Sequence, residues 1–152
     1  MESLREKCVR ESPERTKIKR SSDGDKLVIH GTPTNDRNLF AINLECLSWR
    51  KIDYALHFSV RFLTNSTYKT GRNAIGIDEK FNEKWSGGHV FRHGTKFPFQ
   101  KNEPFIAVMW MKPPNLEIAV NEIHKYYKDN LKPCYTHLAY YKDISVSKIY
   151  MS

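Results

Sequence analysis

His57, Ser59 and Arg61 stand on alternate residues of one short stretch, Leu56-His57-Phe58-Ser59-Val60-Arg61-Phe62. An imidazole, a hydroxyl and a guanidinium in one row supply hydrogen-bond donors and acceptors suited to a polyhydroxylated ligand. The residues between them, Leu56, Phe58, Val60 and Phe62, are apolar and recur with a period of two. That period belongs to a strand with one face in a core and the other open. An ordinary half-exposed antiparallel strand has the same pattern, so the row gains meaning only from what stands beside it.

Other arrangements that could do chemistry are weaker. His89 and His93 are four apart, a spacing that suits a metal on a helix, but Gly87, Gly88 and Gly94 surround them and no third ligand is evident. Cys134 and His137 lack a third, organising group. No glycine-rich phosphate loop, catalytic carboxylate pair or nucleophile elbow stands out. The expectation is a protein that is not an enzyme and needs no metal or other cofactor.

The chain of 152 residues suits one domain with a true core, and its 12% aromatic content argues against wholesale disorder. Its net charge of +8 points to anionic partners and leaves nucleic acid, sulfated glycan and acidic membrane surface open. Tyr68-Lys69, Arg72 and the stretch Lys125 to Lys128 could combine stacking with phosphate contacts. The basic residues are nevertheless spread along the chain without a recognition motif, so nucleic acid is not the expected partner. Cys8, Cys46 and Cys134, an odd number without framework spacing, read as free thiols in a reducing compartment. No apolar run approaches the roughly 20 residues of a membrane span, and no signal-peptide core opens the chain. A soluble protein made in the cytosol is expected.

The elements that must carry the row are short strands between turns. Residues 1–24 form a basic segment poor in apolar side chains, read as a flexible extension, and residues 25–152 form the domain. Leu27-Val28-Ile29, Phe40-Ala41-Ile42-Asn43-Leu44, the Leu56 to Phe62 stretch, Ala74-Ile75-Gly76-Ile77, Phe97-Pro98-Phe99, Phe105 to Met111, Leu116 to Val120 and Ile144 to Ile149 are strand-like. The segment from Glu122 to Leu131 is read as strand and loop. Regular spacing with Gly, Pro and Asn turns indicates an all-β sandwich or barrel.

The order of these strands resembles the galectin carbohydrate-recognition domain. Phe40-Ala41-Ile42-Asn43-Leu44 followed by Ala55-Leu56-His57-Phe58-Ser59-Val60-Arg61-Phe62 is similar to the family's Phe-x-Ile/Val-Asn-Leu strand and its Ala-Leu-His-Phe-Asn-Pro-Arg-Phe strand. Ile75-Gly76-Ile77-Asp78 before Trp85, Phe97-Pro98-Phe99-Gln100, and Val120-Asn121-Glu122-Ile123-His124 continue the likeness over about residues 26–150. It implies two antiparallel sheets packed as a galectin-type jelly-roll sandwich, with a sugar groove on the concave sheet.

The resemblance assigns carbohydrate-binding roles to His57, Ser59, Arg61, Asp78 and Trp85, with Arg92 as a further cation nearby. His57 and Arg61 match the pair that holds the axial 4-hydroxyl of galactose, and Ser59 replaces the Asn between them. Asp78 falls where an Asn binds the 6-hydroxyl, and Trp85 where an indole stacks on the sugar. Beyond Trp85 the family's Glu–Arg pair is missing. Counted from Trp85 those positions are Gly88 and Val90; counted back from Pro98 they are Phe91 and His93. The resemblance implies a non-catalytic lectin for β-galactoside-like glycans with weakened or altered specificity, while the basic surface offers a binder of anionic, sulfated glycans as an alternative. A galectin-fold interaction domain without sugar binding is the other alternative, and the resemblance also admits a homodimer and export without a signal peptide.

Overall fold

The computed structural model describes residues 14–18, 24–34, 38–62, 73–93 and 97–152. Twelve strands are present among them: β1 (Glu14–Lys17), β2 (Lys26–Pro33), β3 (Leu39–Leu47), β4 (Ile52–Arg61), β5 (Asn73–Phe81), β6 (Lys84–Trp85), β7 (His89–His93), β8 (Phe105–Lys112), β9 (Asn115–Val120), β10 (His124–Lys128), β11 (His137–Lys142) and β12 (Ile144–Met151). One sheet runs β1-β11-β3-β4-β5-β6, with β7 also paired to β5; the other runs β10-β9-β8-β2-β12. Every pairing is antiparallel. The two sheets form the jelly-roll sandwich expected from the strand order.

Period-two patterning decides which side chains meet between the sheets. Leu56, Phe58 and Val60 of β4 are fully buried, as are Leu116, Ile118 and Val120 of β9. Phe105, Ala107, Met109 and Met111 of β8 also point inward, whereas Ile106 is exposed. The continuous apolar run 105–111 is therefore split between two faces. Outward-facing Trp110 is covered by the ammonium groups of Lys26 and Lys112, at 4.6 and 3.9 Å from its ring. Phe99 meets Phe40 and Phe105 edge-on, with centroids 5.3 and 4.9 Å away, locking the sheets together at one end. Burying each such ring contributes on the order of 2–3 kcal/mol.

Two sequence readings are corrected. Residues 14–18 do not stay outside the domain. β1 pairs with β11, Arg15 Nε lies 2.6 Å from Glu45 Oε1, and Ile18 is buried in the core. The short apolar content that argued for an extension is enough for one edge strand, because β11 supplies the ladder. Residues 1–13 and 19–23 of the basic segment lie outside the described residues. Cys46 and Cys134 are not free thiols but a disulfide spanning 88 residues. Linear spacing hides this pair. The pairing of β11 with β3 sets Thr136 N on Glu45 O, and so brings the loop before β11 against the end of β3.

Irregularities in β4 matter for function. Glu45 pairs with Tyr54 and Leu44 with Leu56, so Ala55 is an extra residue on β4. Such a bulge re-aims the strand, and here it puts Tyr54 and His57, three residues apart, on the same open face. Their ring centroids are 6.1 Å apart. A two-residue turn, Asn82-Glu83 with φ of 53° and 66°, reverses the chain from β5 into β6 and delivers Trp85 opposite Lys80.

Candidate functional site

The open face of β4 carries the polar row. Across the ladder to β5, His57 lies opposite Asp78, Ser59 opposite Gly76 and Arg61 opposite Ala74. A carboxylate, no side chain and a methyl thus follow one another along β5, and the floor deepens away from Asp78. Gly76 leaves room for the Ser59 hydroxyl where it stands: a Cβ there would lie 2.5 Å from Ser59 Oγ and make it turn away. The resulting groove of ≈ 500 Å³ is lined by His57, Ser59, Arg61, Asp78 and Trp85, and continues over Gly88 and Val90.

His57 is fixed from behind. Its Nδ1 lies 2.8 Å from Oδ1 of fully buried Asn43, which sits directly across on β3. Burial above all, then Arg61 and Lys80 nearby, hold the imidazole down at about 4 against the pull of Asp78. At neutral pH the ring is uncharged. Nδ1–H donates to Asn43 Oδ1, which leaves the Nε2 lone pair to accept a hydrogen bond from a ligand hydroxyl. Tyr141 stacks on the imidazole at 6.3 Å, and burial raises its hydroxyl to about 12, so it stays protonated.

Trp85 is 46% exposed at the end of the groove. Its ring lies 4.8 Å from His57 and is stacked at 5.8 Å on Tyr54, with Lys80 Nζ 5.3 Å from the indole centroid. A large aromatic held in this way but left half open suits the C–H face of a sugar ring. Asp78 Oδ1 accepts from Glu79 N at 2.8 Å and from Ser86 Oγ at 2.7 Å. Both bonds fix the carboxylate and, through Ser86, the chain leading out of Trp85. Oδ2 is the oxygen left for a ligand among the described residues.

The far half of the groove is built differently. β7 pairs with β5 so that His89 faces Ile77, Val90 faces Gly76 and Phe91 faces Ile75. Val90 therefore shares the open face and is 58% exposed, while Phe91 turns to the other side against Tyr126 at 5.4 Å. The register decides between the two ways of counting: Gly88 and Val90 hold the positions beside the groove. A Cβ on Gly88 would lie 2.1 Å from Ile77 O, so no carboxylate side chain can occupy that place on this backbone. Arg92 is on β7, opposite Ala74 and two residues beyond Val90; its side chain lies outside those described. His89 and His93 are on a strand rather than a helix.

Sequence reasoning brought together His57, Ser59, Arg61, Asp78 and Trp85 but gave no role to Asn43, Tyr54, Lys80, Ser86 or Tyr141. Asn43 carried a readable signal, a single amide inside the apolar strand Phe40 to Leu44. Tyr54 had none, because the bulge at Ala55 puts it on the face opposite to that implied by a strict period of two.

A sequence model of the family described as galactoside-binding lectin matches residues 15–151. Galectin-3 of Oryctolagus cuniculus is 31% identical over 98 residues, which amount to 64% of this chain and 36% of that protein. The matched part is thus little more than a third of that relative's length. Among solved structures, Caenorhabditis elegans galectin LEC-6 superposes with a TM-score of 0.72 at 22% identity, covering 92% of this chain and 90% of the other. The ancestral congerin Con-anc gives 0.72 at 20%, covering 91% and 99%. Xenopus laevis galectin-Ib gives 0.71 at 20%, covering 92% and 99%. At these identities the structural likeness is one of fold.

Proposed function

The chain belongs to the galactoside-binding lectin family, and from that premise we propose that it is a non-catalytic lectin that holds a β-galactoside-like unit over β4 with weakened or altered specificity. The observation that carries this reading is the alignment of His57, Ser59 and Arg61 on one open face, with Asp78 opposite His57 and the Trp85 ring 4.8 Å from the imidazole. Hydroxyls of one sugar ring would donate to His57 Nε2 and Asp78 Oδ2 and accept from Arg61. The apolar ring face would rest on Trp85. A site built to pair a hydroxyl of fixed orientation rejects the epimer that leaves its buried groups unpaired.

Weakening follows from the other half of the groove. Gly88 and Val90 offer a second sugar neither carboxylate nor cation, so selectivity for a disaccharide rests on the first ring. Arg61 and Lys80 give the groove a basic margin, which supports tolerance of a sulfated substituent away from Asp78. The Cys46–Cys134 disulfide fits an oxidising medium, so we place the action of this lectin outside the reducing cytosol.

Titration with lactose and with a sulfated galactoside at low and high salt tests the reading. Saturable lactose binding that survives salt and is lost in His57→Ala supports it. Silence toward every galactoside leaves a galectin-fold interaction domain instead. Binding that collapses with salt whatever the sugar assigns the contact to charge alone.

A further inference from the structure

The hairpin between β3 and β4 ends in the most exposed aromatic side chain among the described residues, and no packing role accounts for it. Ser48 and Lys51 close the turn through Ser48 N to Lys51 O at 3.1 Å, with Ser48 Oγ 3.2 Å from the same carbonyl. The residues thrust outward are Trp49, 87% exposed, and the cross-strand pair Leu47 and Ile52, 36% and 39% exposed. Three large apolar groups on one tip form a patch that a soluble surface normally avoids.

Cations surround that patch. The Arg50 guanidinium lies 4.3 Å over the Trp49 ring, which binds a positive charge and an aromatic plane into one unit. Lys51 is anchored by Asp53 at 3.5 Å and by Asn82 Oδ1, and this joins the tip to the neighbouring β5–β6 turn. A hollow of ≈ 500 Å³ opens between the two turns, with Arg50, Lys51 and Lys80 on its walls. Its acidic members are Glu83 and Asp53, and Asp53 is already engaged by Lys51 and by Asn82 N at 3.0 Å. Lys84 adds a fourth cation on the adjoining strand.

We propose that this hairpin tip docks on the surface of an anionic phospholipid bilayer, with Trp49, Leu47 and Ile52 entering the headgroup layer and Arg50, Lys51 and Lys80 meeting lipid phosphates. Tryptophan settles at the membrane–water boundary because its ring is apolar and its N–H polar. Neither a few shallow apolar groups nor a few surface cations anchor a protein alone; two signals together do. The tip supplies both on one rigid turn, and the net charge of +8 directs the whole chain toward the same kind of surface. A nucleic acid would satisfy the cations and one stacking ring but leaves Leu47 and Ile52 without a partner, so the bilayer is the better match. The inference does not depend on the groove binding sugar.

Vesicles without glycolipid test it. The whole chain is sedimented with phosphatidylcholine vesicles and with phosphatidylcholine–phosphatidylserine vesicles at physiological salt. Binding to the anionic vesicles only, with tryptophan emission shifted to the blue, is the expected result. Trp49→Ala abolishes the emission shift, and Trp49→Ala and Arg50→Glu each weaken sedimentation by about tenfold. Both positions are exposed, so thermal melting of either variant stays at the parent value. Added lactose changes nothing. Equal binding to neutral vesicles, no dependence on Trp49, or loss of binding with lactose overturns the proposal. Tighter binding to a single-stranded oligonucleotide than to vesicles, with the same Trp49 and Arg50 dependence, reassigns the tip to nucleic acid.

Discussion

The two halves of the concave groove share one floor strand but obey different rules. Over β4, side chains of distinct chemistry converge and are held by others: Asn43 fixes His57, Ser86 fixes Asp78, and Tyr54 and Lys80 brace Trp85. Over β7 the wall is Gly88 and Val90, and backbone crowding at Gly88 keeps it bare. A half lined by polar and aromatic groups is thus joined to a half whose described side chains offer only space and apolar contact. On the proposed reading the first ring depends on β4 and the second on β7, because each half draws its support from different strands.

The largest effect comes from trying to make the halves alike. Restoring a carboxylate by Gly88→Glu forces a Cβ into Ile77 O and is expected to cost about 3 kcal/mol of stability. Gly88→Ala costs the same within error, since the clash is at Cβ rather than beyond it. Thermal or urea unfolding checks this, and a well-tolerated Gly88→Ala shows that the bare wall has another cause. Next is His57→Ala, which removes the acceptor and leaves Asn43 Oδ1 buried without its partner. A loss of about 2 kcal/mol in lactose affinity, roughly thirtyfold, is expected by calorimetry.

A smaller effect is set by pH. The unfolded chain protonates histidine near 6.5, whereas the folded ring holds out to about 4. Between those values the unfolded state binds more protons, so the contribution of His57 to stability is complete above pH 6.5 and is lost as pH falls toward 4. Lactose affinity should stay flat from pH 8 to about 5.5 and decline as the ring approaches 4. An affinity that already drops between pH 7 and 6 contradicts a neutral, Asn43-bound imidazole. Smallest is Val90→Arg on the exposed wall: stability within about 0.5 kcal/mol of the parent, with a few-fold gain in affinity for a disaccharide over the monosaccharide. No gain means that a cation at this register position does not reach the second ring.

The polar row over β4 was legible in the sequence because its residues lie on short stretches in a recognisable order. Alternation puts His57, Ser59 and Arg61 on one face, and the resemblance to galectins is what singled out that row and added Asp78 and Trp85. The far half was not, because two ways of counting gave Gly88 with Val90 or Phe91 with His93, and only the pairing of Val90 with Gly76 chooses. Tyr54 was hidden by a one-residue bulge. The Cys46–Cys134 bond was hidden by 88 residues of separation, and β1 by a composition that suits an extension as well as an edge strand. In each case the missing information was which strand lies next to which, a property of the folded sheet rather than of any local segment.

The most direct test of a sugar site over β4 is residue-resolved: amide and indole chemical-shift changes in the isotope-labelled chain as lactose is added. The account predicts the largest shifts at His57, Ser59, Gly76, Asp78 and the Trp85 indole, small ones at Val90, and none at Trp49. Shifts centred on the β3–β4 turn, or no shifts at saturating lactose, would contradict it.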